Sequence, residues 1–305
     1  MLLKNNCYQG DCLDLLKQID DCSIEAVLTD PPYFLDKLDN HWDRAVVDST
    51  KNMGTVKSLP SGMRFDRAQG KAFYDFYFKV CKELLRVLKP GGYFFSFGPP
   101  RLYHNMASAI EDAGFLIKDQ LMWLYTQNQP KAQGMQNFIK KMKVDEATKE
   151  KLLIEWAGWK TPQIRSNHEP IAMAQKPTDG TFLKNQIVHG VGLVNTNHKV
   201  GKDEDKFVSN VLSTSEISDI IDNHFLIAKP NKKEKGEYNT HKTVKPVDVC
   251  RQLIRLVTLP GALVLDPFIG SGTTAVAAKQ LGRDYIGFDL DPENINISNR
   301  RIAEA

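Results

Sequence analysis

No stretch of the 305 residues approaches the roughly 20 consecutive apolar side chains that a bilayer-spanning helix needs, and the start Met1-Leu2-Leu3-Lys4-Asn5-Asn6-Cys7 turns polar too early for a secretory signal. The chain therefore reads as a soluble, cytoplasmic protein with no membrane partner. Its five cysteines (Cys7, Cys12, Cys22, Cys81, Cys250) form no CxxC pair, and none has a histidine at zinc-ligand spacing. That pattern argues against a zinc module or a disulfide framework; reduced thiols and no metal site are expected. Internal repeats and low-complexity tracts are missing too. With 42% hydrophobic residues the chain can bury a full core, which excludes disorder on the scale of the chain. A large charge of one sign is also lacking, since the net +3 is too small to demonstrate a polyanionic partner. The distribution says more than the sum. Residues 1–30 hold two Lys against six acids, residues 131–165 seven Lys and one Arg against four acids, and residues 229–245 six Lys against two acids. The basic stretches hint at nucleic acid.

What is present is alternation. The apolar run Ala26-Val27-Leu28-Thr29 stops at Asp30-Pro31-Pro32, where prolines cannot donate to a ladder, so it predicts a buried strand ending in a turn. Residues 34–71 mix Gly, Pro, Ser and charge with little periodicity, a length that in a compact domain signals a functional loop. Helical spacing of Phe73, Phe76, Tyr77, Val80, Leu84 and Leu88 predicts a helix over 73–88, stopped by Lys89-Pro90-Gly91-Gly92. A strand over 93–97, a helix over 102–113 and a strand over 115–124 follow. The alternation fades over 127–227, where 137–155 is predicted as one lysine-rich helix and the Trp156, Trp159 pair as local core. It then resumes as helix 247–257, strand 262–265, helix 273–281, strand 285–288 and helix 292–303. The pattern predicts a doubly wound α/β sheet with an inserted module: 1–126 and 228–305 form one domain, and 127–227 the insert.

Two motifs carry chemistry. In Asp266-Pro267-Phe268-Ile269-Gly270-Ser271-Gly272-Thr273 a strand runs into a glycine turn and a helix start, where a ligand can approach the backbone closely. Asp289 ends the next strand, 23 positions after Asp266, where sheets of this kind hydrogen-bond ribose hydroxyls. A nucleoside ligand fits. A nicotinamide dinucleotide would need a third glycine at position 275, which is Ala275. The second motif is Asp30-Pro31-Pro32-Tyr33. An exocyclic amine is a poor nucleophile because its lone pair is delocalised into the ring. The Asp30 carboxylate and a main-chain carbonyl of the rigid Pro-Pro turn can hold the amine nearer sp³ and aim its lone pair, while the Tyr33 ring can stack on a base removed from the helix. Set against this, Asp30 could simply cap a turn with Tyr33 in the core.

Together these residues resemble the DNA amino-methyltransferases acting on N6 of adenine or N4 of cytosine, in the order of their circularly permuted beta group and with phage or prophage members. The resemblance implies a Rossmann-like methyltransferase sheet with an inserted target-recognition module. It makes Asp30, Pro31, Pro32 and Tyr33 catalytic, and Asp266, Pro267, Phe268, Gly270, Ser271, Gly272, Thr273 and Asp289 part of the site for S-adenosylmethionine. Gly10-Asp11-Cys12 looks like the family's short N-terminal motif, which adds Asp11. His241-Lys242-Thr243-Val244-Lys245-Pro246 looks like the element preceding the cofactor loop, which adds His241, Thr243 and Lys245. Leu85 to Gly92 and Asn167-His168-Glu169-Pro170-Ile171 also match such members. The implied partner is double-stranded DNA, with Lys140, Lys141 and Lys143 of the insert at its phosphates; a homodimer and a cognate restriction endonuclease are left open. Asp30 favours adenine, since cytosine-N4 members usually carry Ser there. One departure is that the loop after Tyr33 lacks the Gly-Ser-rich pattern of these relatives. The competing readings are cytosine N4, adenine in RNA, a protein glutamine, or a nicotinamide oxidoreductase, the last of which leaves Asp30 to Tyr33 without a task.

Overall fold

The computed structural model describes residues 2–32, 67–125, 132–162, 166–197, 210–212, 229–241 and 244–305. Among the described residues eight strands form one sheet in the order β1-β8-β7-β2-β3-β5-β4-β6. They are β1 (Asn6–Gln9), β2 (Ile24–Thr29), β3 (Leu88–Phe97), β4 (Leu116–Leu124), β5 (His168–Gln175), β6 (Val211–Leu212), β7 (Leu263–Asp266) and β8 (Asp284–Asp289). From β1 through β8, β7 and β2 to β3 every pairing is parallel, whereas β5 runs antiparallel to both β3 and β4.

The helices cover both faces, and the period of two along each strand decides which residue meets which layer. Ala26, Leu28, Tyr93, Phe95, Phe97, Val264 and Tyr285 point to one face. There they pack against α8 (Val247–Val257), which follows the short α7 (Lys232–Lys235), and against α9 (Thr273–Gln280) and α10 (Pro292–Glu304). Val27, Phe94, Leu265, Ile286 and Phe288 point to the other, against α1 (Cys12–Leu16), α2 (Arg67–Val87) and α3 (Tyr103–Asp112). The doubly wound α/β class read from the sequence is thus the fold observed. The five cysteines are free thiols, and among the described residues no helix is long and apolar enough to cross a membrane.

Four local expectations change. β3 starts at Leu88, directly after α2, so Lys89 to Gly92 do not separate helix from strand. They bulge out opposite Glu25, because Ile24 pairs with Leu88 while Ala26 pairs with Tyr93, and Lys89 forms an ion pair with Glu25. The single helix expected over 137–155 is two, α4 (Gln136–Ile139) and α5 (Glu146–Glu155). Asp145 accounts for the break: its side chain accepts from the Thr148 amide at 2.9 Å and starts a new helix. Trp156 and Trp159, expected in a local core, are 38% and 67% exposed. Finally, 127–227 does not stand wholly apart from the sheet, because β5 lies within it, paired on both sides and buried. The same range holds α6 (Phe182–His189), which Thr181 caps and Gly190, at φ +74°, stops. Residues 132–162, in the same range, form a helical hairpin closed by a bridge between Gly134 and Lys160.

Candidate active site at the strand ends

The parallel strands deliver acidic residues to one edge of the sheet. Gln9 pairs with Asp289, Asp266 with Gly287 and Val27 with Leu265, so the C-terminal ends of β1, β8, β7 and β2 set Asp11, Asp289, Asp266 and Asp30 in a row across that edge. Ligands of open α/β sheets bind beyond such strand ends.

On the β7–β8 side the turn after Asp266 is shaped by its glycines. Gly270 and Gly272 have φ of +52° and +83°, which an L side chain adopts only with strain. A Cβ on Gly270 would come within 3.0 Å of His241 Nε2, and one on Gly272 within 2.7 Å of Ser298 Cβ on α10. The Asp289 carboxylate accepts from the Gly270 amide at 3.0 Å, the Asp291 amide at 2.8 Å and Asn294 Nδ2 at 3.1 Å. Burial nevertheless raises its pKa. His241, half-buried like Asp289, has its pKa lowered by desolvation, so the imidazole beside the turn is neutral near pH 7.

Asp266 itself is 4% exposed and faces inward: it accepts from Thr29 Oγ1 at 2.6 Å and from the Phe268 amide at 3.1 Å, and burial pushes its carboxyl up to about 7. Pro267 is buried beside it, whereas Phe268 is half-buried with its ring 6.0 Å from that of Phe76. Ser271 and Thr273 are turned inward as well. The buried Arg301 on α10 donates to the Ser271 carbonyl at 2.7 Å, to Ser271 Oγ at 3.1 Å and to Thr273 Oγ1 at 3.0 Å. These three side chains hold the turn, while Gly270 lies between His241 and Asp289. Asp11 caps α1, accepting from the Leu13 amide at 2.8 Å, and the neighbouring Gly10 amide donates to the Asp289 carbonyl.

On the β2 side, Asp30 and Pro32 are half-buried and Pro31 buried. The side chain of Lys245 does not reach toward the glycine turn. It forms ion pairs with Asp30 and, at 3.0 Å, with Glu169 at the start of β5, and its ammonium lies 5.2 Å over the Phe97 ring. Burial acts to lower the lysine's pKa, but the two carboxylates outweigh it and hold the ammonium well above its usual range. The Lys245 carbonyl accepts from Thr273 Oγ1 at 3.3 Å, so one residue touches both motifs. Tyr33 and Thr243 lie outside the described residues. Lys140, Lys141 and Lys143 sit exposed on the turn between α4 and α5.

Sequence reasoning missed Glu169 and Arg301 as members of this edge. The signal for Glu169 was present in Asn167 to Ile171, whereas Arg301 reads as one more cation on a helix face.

The geometry matches what the comparisons with known proteins find. The profile of the DNA methylase family, which covers N6 and N4 methyltransferases, matches residues 24–300. The Type II methyltransferase M.HindIII of Haemophilus influenzae is 30% identical over 97% of this chain and 94% of its own length. The Type II methyltransferase M1.MboII of Moraxella bovis is 26% identical over 98% and 96%. Among solved structures, PvuII DNA methyltransferase (cytosine-N4-specific) superposes with a TM-score of 0.57 at 19% identity, covering 97% of this chain and 85% of that one. The M1.HpyAVI–SAM complex gives 0.54 at 18%, covering 97% and 98%. Because the family match runs unbroken from the strand that delivers Asp30 to the helix that holds the glycine turn, the chain belongs to the DNA methylase family.

Proposed function

We propose that the chain transfers a methyl group from S-adenosylmethionine to N6 of adenine at a defined sequence in double-stranded DNA, acting on a base turned out of the helix. The observation that carries the reading is the shared sheet edge: Asp30 at the end of β2 and the Gly270 turn with Asp289 at the ends of β7 and β8, joined through Lys245.

The residues fit the cofactor. The cradle at Gly270 and Gly272 is one that a Cβ would fill, and Asp289 is a partly buried acceptor held by main-chain amides. His241, Gly270, Asp289 and Asp11 would hold it, with Thr243 beside them in the chain. When bound, the cofactor supplies an electrophilic methyl group on a sulfonium. The chain's own task is then orientation. Asp30 accepts a hydrogen bond from one hydrogen of the target amine, the carbonyl of the Pro31-Pro32 turn accepts one from the other, and the nitrogen lone pair is freed from the ring and aimed. Tyr33 stacks on the extruded base. An aspartate at this position, rather than serine, supports adenine over cytosine. The hairpin 132–162 contacts DNA, with Lys140, Lys141 and Lys143 at phosphates.

Asp30→Ala is expected to abolish methyl transfer while S-adenosylmethionine binding stays within a few-fold, since Asp30 meets the amine and only borders the cofactor. Tritium transfer to unmethylated DNA alongside calorimetry measures both. Equal losses of rate and affinity would move Asp30 out of the amine site. N4-methylcytosine in digests of the modified DNA would overturn the adenine reading and leave the methylase reading intact.

A further inference from the structure

Asp30 is held from one direction by Lys245, and Lys245 is held from another by Glu169. Glu169 is the second residue of β5, a strand paired on both sides. The register Phe97 to Ile171 carries it just past the end of β3, the strand next to Asp30's own. At Glu169 itself the ladder continues on the β4 side, where it pairs with Trp123. The three side chains are 10% (Lys245), 21% (Asp30) and 16% (Glu169) exposed, so water screens their attraction little. The Phe97 ring closes off the ammonium from below. A lysine side chain has four rotatable bonds and no preferred station of its own. Here two carboxylates on separate strands fix one.

We propose that Glu169 is a positioning residue for methyl transfer: it pins Lys245 between β5 and β2, and Lys245 in turn fixes where the Asp30 carboxylate points. The inference rests on the reading of Asp30 as the group that meets the target amine. Glu169 touches neither the amine nor the glycine turn in this role. It acts through the lysine, and without it the ammonium is free to re-centre on Asp30 alone and turn the carboxylate with it. A carboxylate displaced by about 1 Å no longer aims the amine, and such misplacement costs about 10²-fold in rate.

The test uses the full chain, tritiated S-adenosylmethionine and unmethylated plasmid DNA, with S-adenosylhomocysteine affinity from calorimetry as the check on folding and on the cofactor side. Glu169→Gln keeps the shape and removes the charge. It should lower kcat by roughly 10- to 100-fold, leaving KM for DNA and the Kd for S-adenosylhomocysteine within about two-fold. Glu169→Asp should recover part of the loss. Lys245→Met should be slower than Glu169→Gln, and the double variant no slower than Lys245→Met, because Glu169 acts only through the lysine. A wild-type kcat in Glu169→Gln overturns the proposal, and so do losses that multiply in the double variant. Should Glu169→Gln fail to bind S-adenosylhomocysteine, Glu169→Asp decides in its place: reduced kcat with intact binding supports the proposal, and wild-type kcat overturns it. Asp30→Ala separates the two layers. An active Asp30→Ala defeats the reading of Asp30 itself, while an inactive Asp30→Ala beside a normal Glu169→Gln defeats only the positioning role.

Discussion

The glycine turn with its flanking helices and the hairpin 132–162 come from one chain and obey opposite rules. In α9 every residue from Thr273 to Ala278 is buried, and the turn before it is gripped by Arg301, Asp266 and Asp289. In α5 no residue is buried, and Ile154, Trp156 and Trp159 lie open to solvent. The first region must hold a small ligand to within tenths of an ångström, so its polar groups are satisfied inside the protein before any ligand arrives. The second follows the logic of a surface that completes its packing on a partner, because apolar side chains left in water gain only when something covers them. Pre-organisation and incompleteness suit two tasks: positioning a reacting atom and, on the proposed reading, meeting a long polyanion.

The largest effect is expected where the rigid region leaves no slack. Gly272→Ala puts a Cβ at φ +83° and 2.7 Å from Ser298 Cβ, with Ser298 Cα at 2.9 Å, so backbone and not only a side-chain tip must move. The conformational penalty and the displaced helix together cost about 2–4 kcal/mol. A lowered melting temperature and weakened cofactor binding, read by calorimetry, should appear together. Unchanged values of both would show the turn to be as adaptable as the hairpin and erase the contrast.

Asp289→Ala comes next. It removes the acceptor for two amides and one side-chain amide, and the ribose hydroxyls proposed to bind there lose their partner. Affinity for S-adenosylmethionine and S-adenosylhomocysteine should fall alike, by roughly 10- to 100-fold, since the ribose is common to both. A loss confined to one of them would place Asp289 at the methionine end instead.

Asp266 allows a subtler test through pH. Its folded pKa, about 7, stands above the ordinary 3.8, so the unfolded chain releases this proton first as pH rises. Stability from this group is full below about pH 4, declines through the window up to about 7 and is level above it, at on the order of 1 kcal/mol per pH unit. Asp266→Asn keeps an acceptor for Thr29 and Phe268 and has no proton to lose. Its advantage in melting temperature over the native chain should therefore be larger at pH 8 than at pH 5. An equal difference at both would mean that the carboxylate is ionised when folded.

How far the sequence reveals this molecule depends on the range of the forces involved. α8 was legible to the residue, Val247 to Val257, because its apolar side alone meets the sheet and the spacing shows it. β5 was not: buried on both faces, it has no alternation, and Pro170 near its start reads as loop. β1 is four residues with both ends exposed, too short for any period to register. At the site, Asp30, Gly270 and Asp289 belong to motifs that are local in the chain. The Lys245–Asp30 contact spans 215 positions, and no local pattern announces it. The hairpin was misread for a related reason: tryptophans are assigned to cores by default, and only the three-dimensional arrangement shows that α5 packs so little.

The smallest effect on stability, and the sharpest on binding, is expected in the hairpin. Trp159 is held by its backbone: its carbonyl accepts from Met135 at 2.9 Å, its amide donates to the Trp156 carbonyl at 3.1 Å, and Gly158 at φ +82° shapes the approach. The indole is 67% exposed. Trp159→Ala removes little buried surface, so the melting temperature should move by under about 1 °C, since exposed substitutions usually change stability by within about 0.5 kcal/mol. On DNA the two side-chain types of the hairpin should separate. Neutralising Lys140, Lys141 and Lys143 together should weaken binding to every sequence and flatten its dependence on salt, because binding through fewer phosphate contacts releases fewer counterions. Trp159→Ala should weaken binding with the salt slope unchanged, because an aromatic ring displaces no ions. Titrations of labelled duplex at several salt concentrations resolve the two. If Trp159→Ala lowers the melting temperature by several degrees and leaves DNA affinity intact, the indole belongs to the protein's own packing and the hairpin obeys the same rule as the glycine turn.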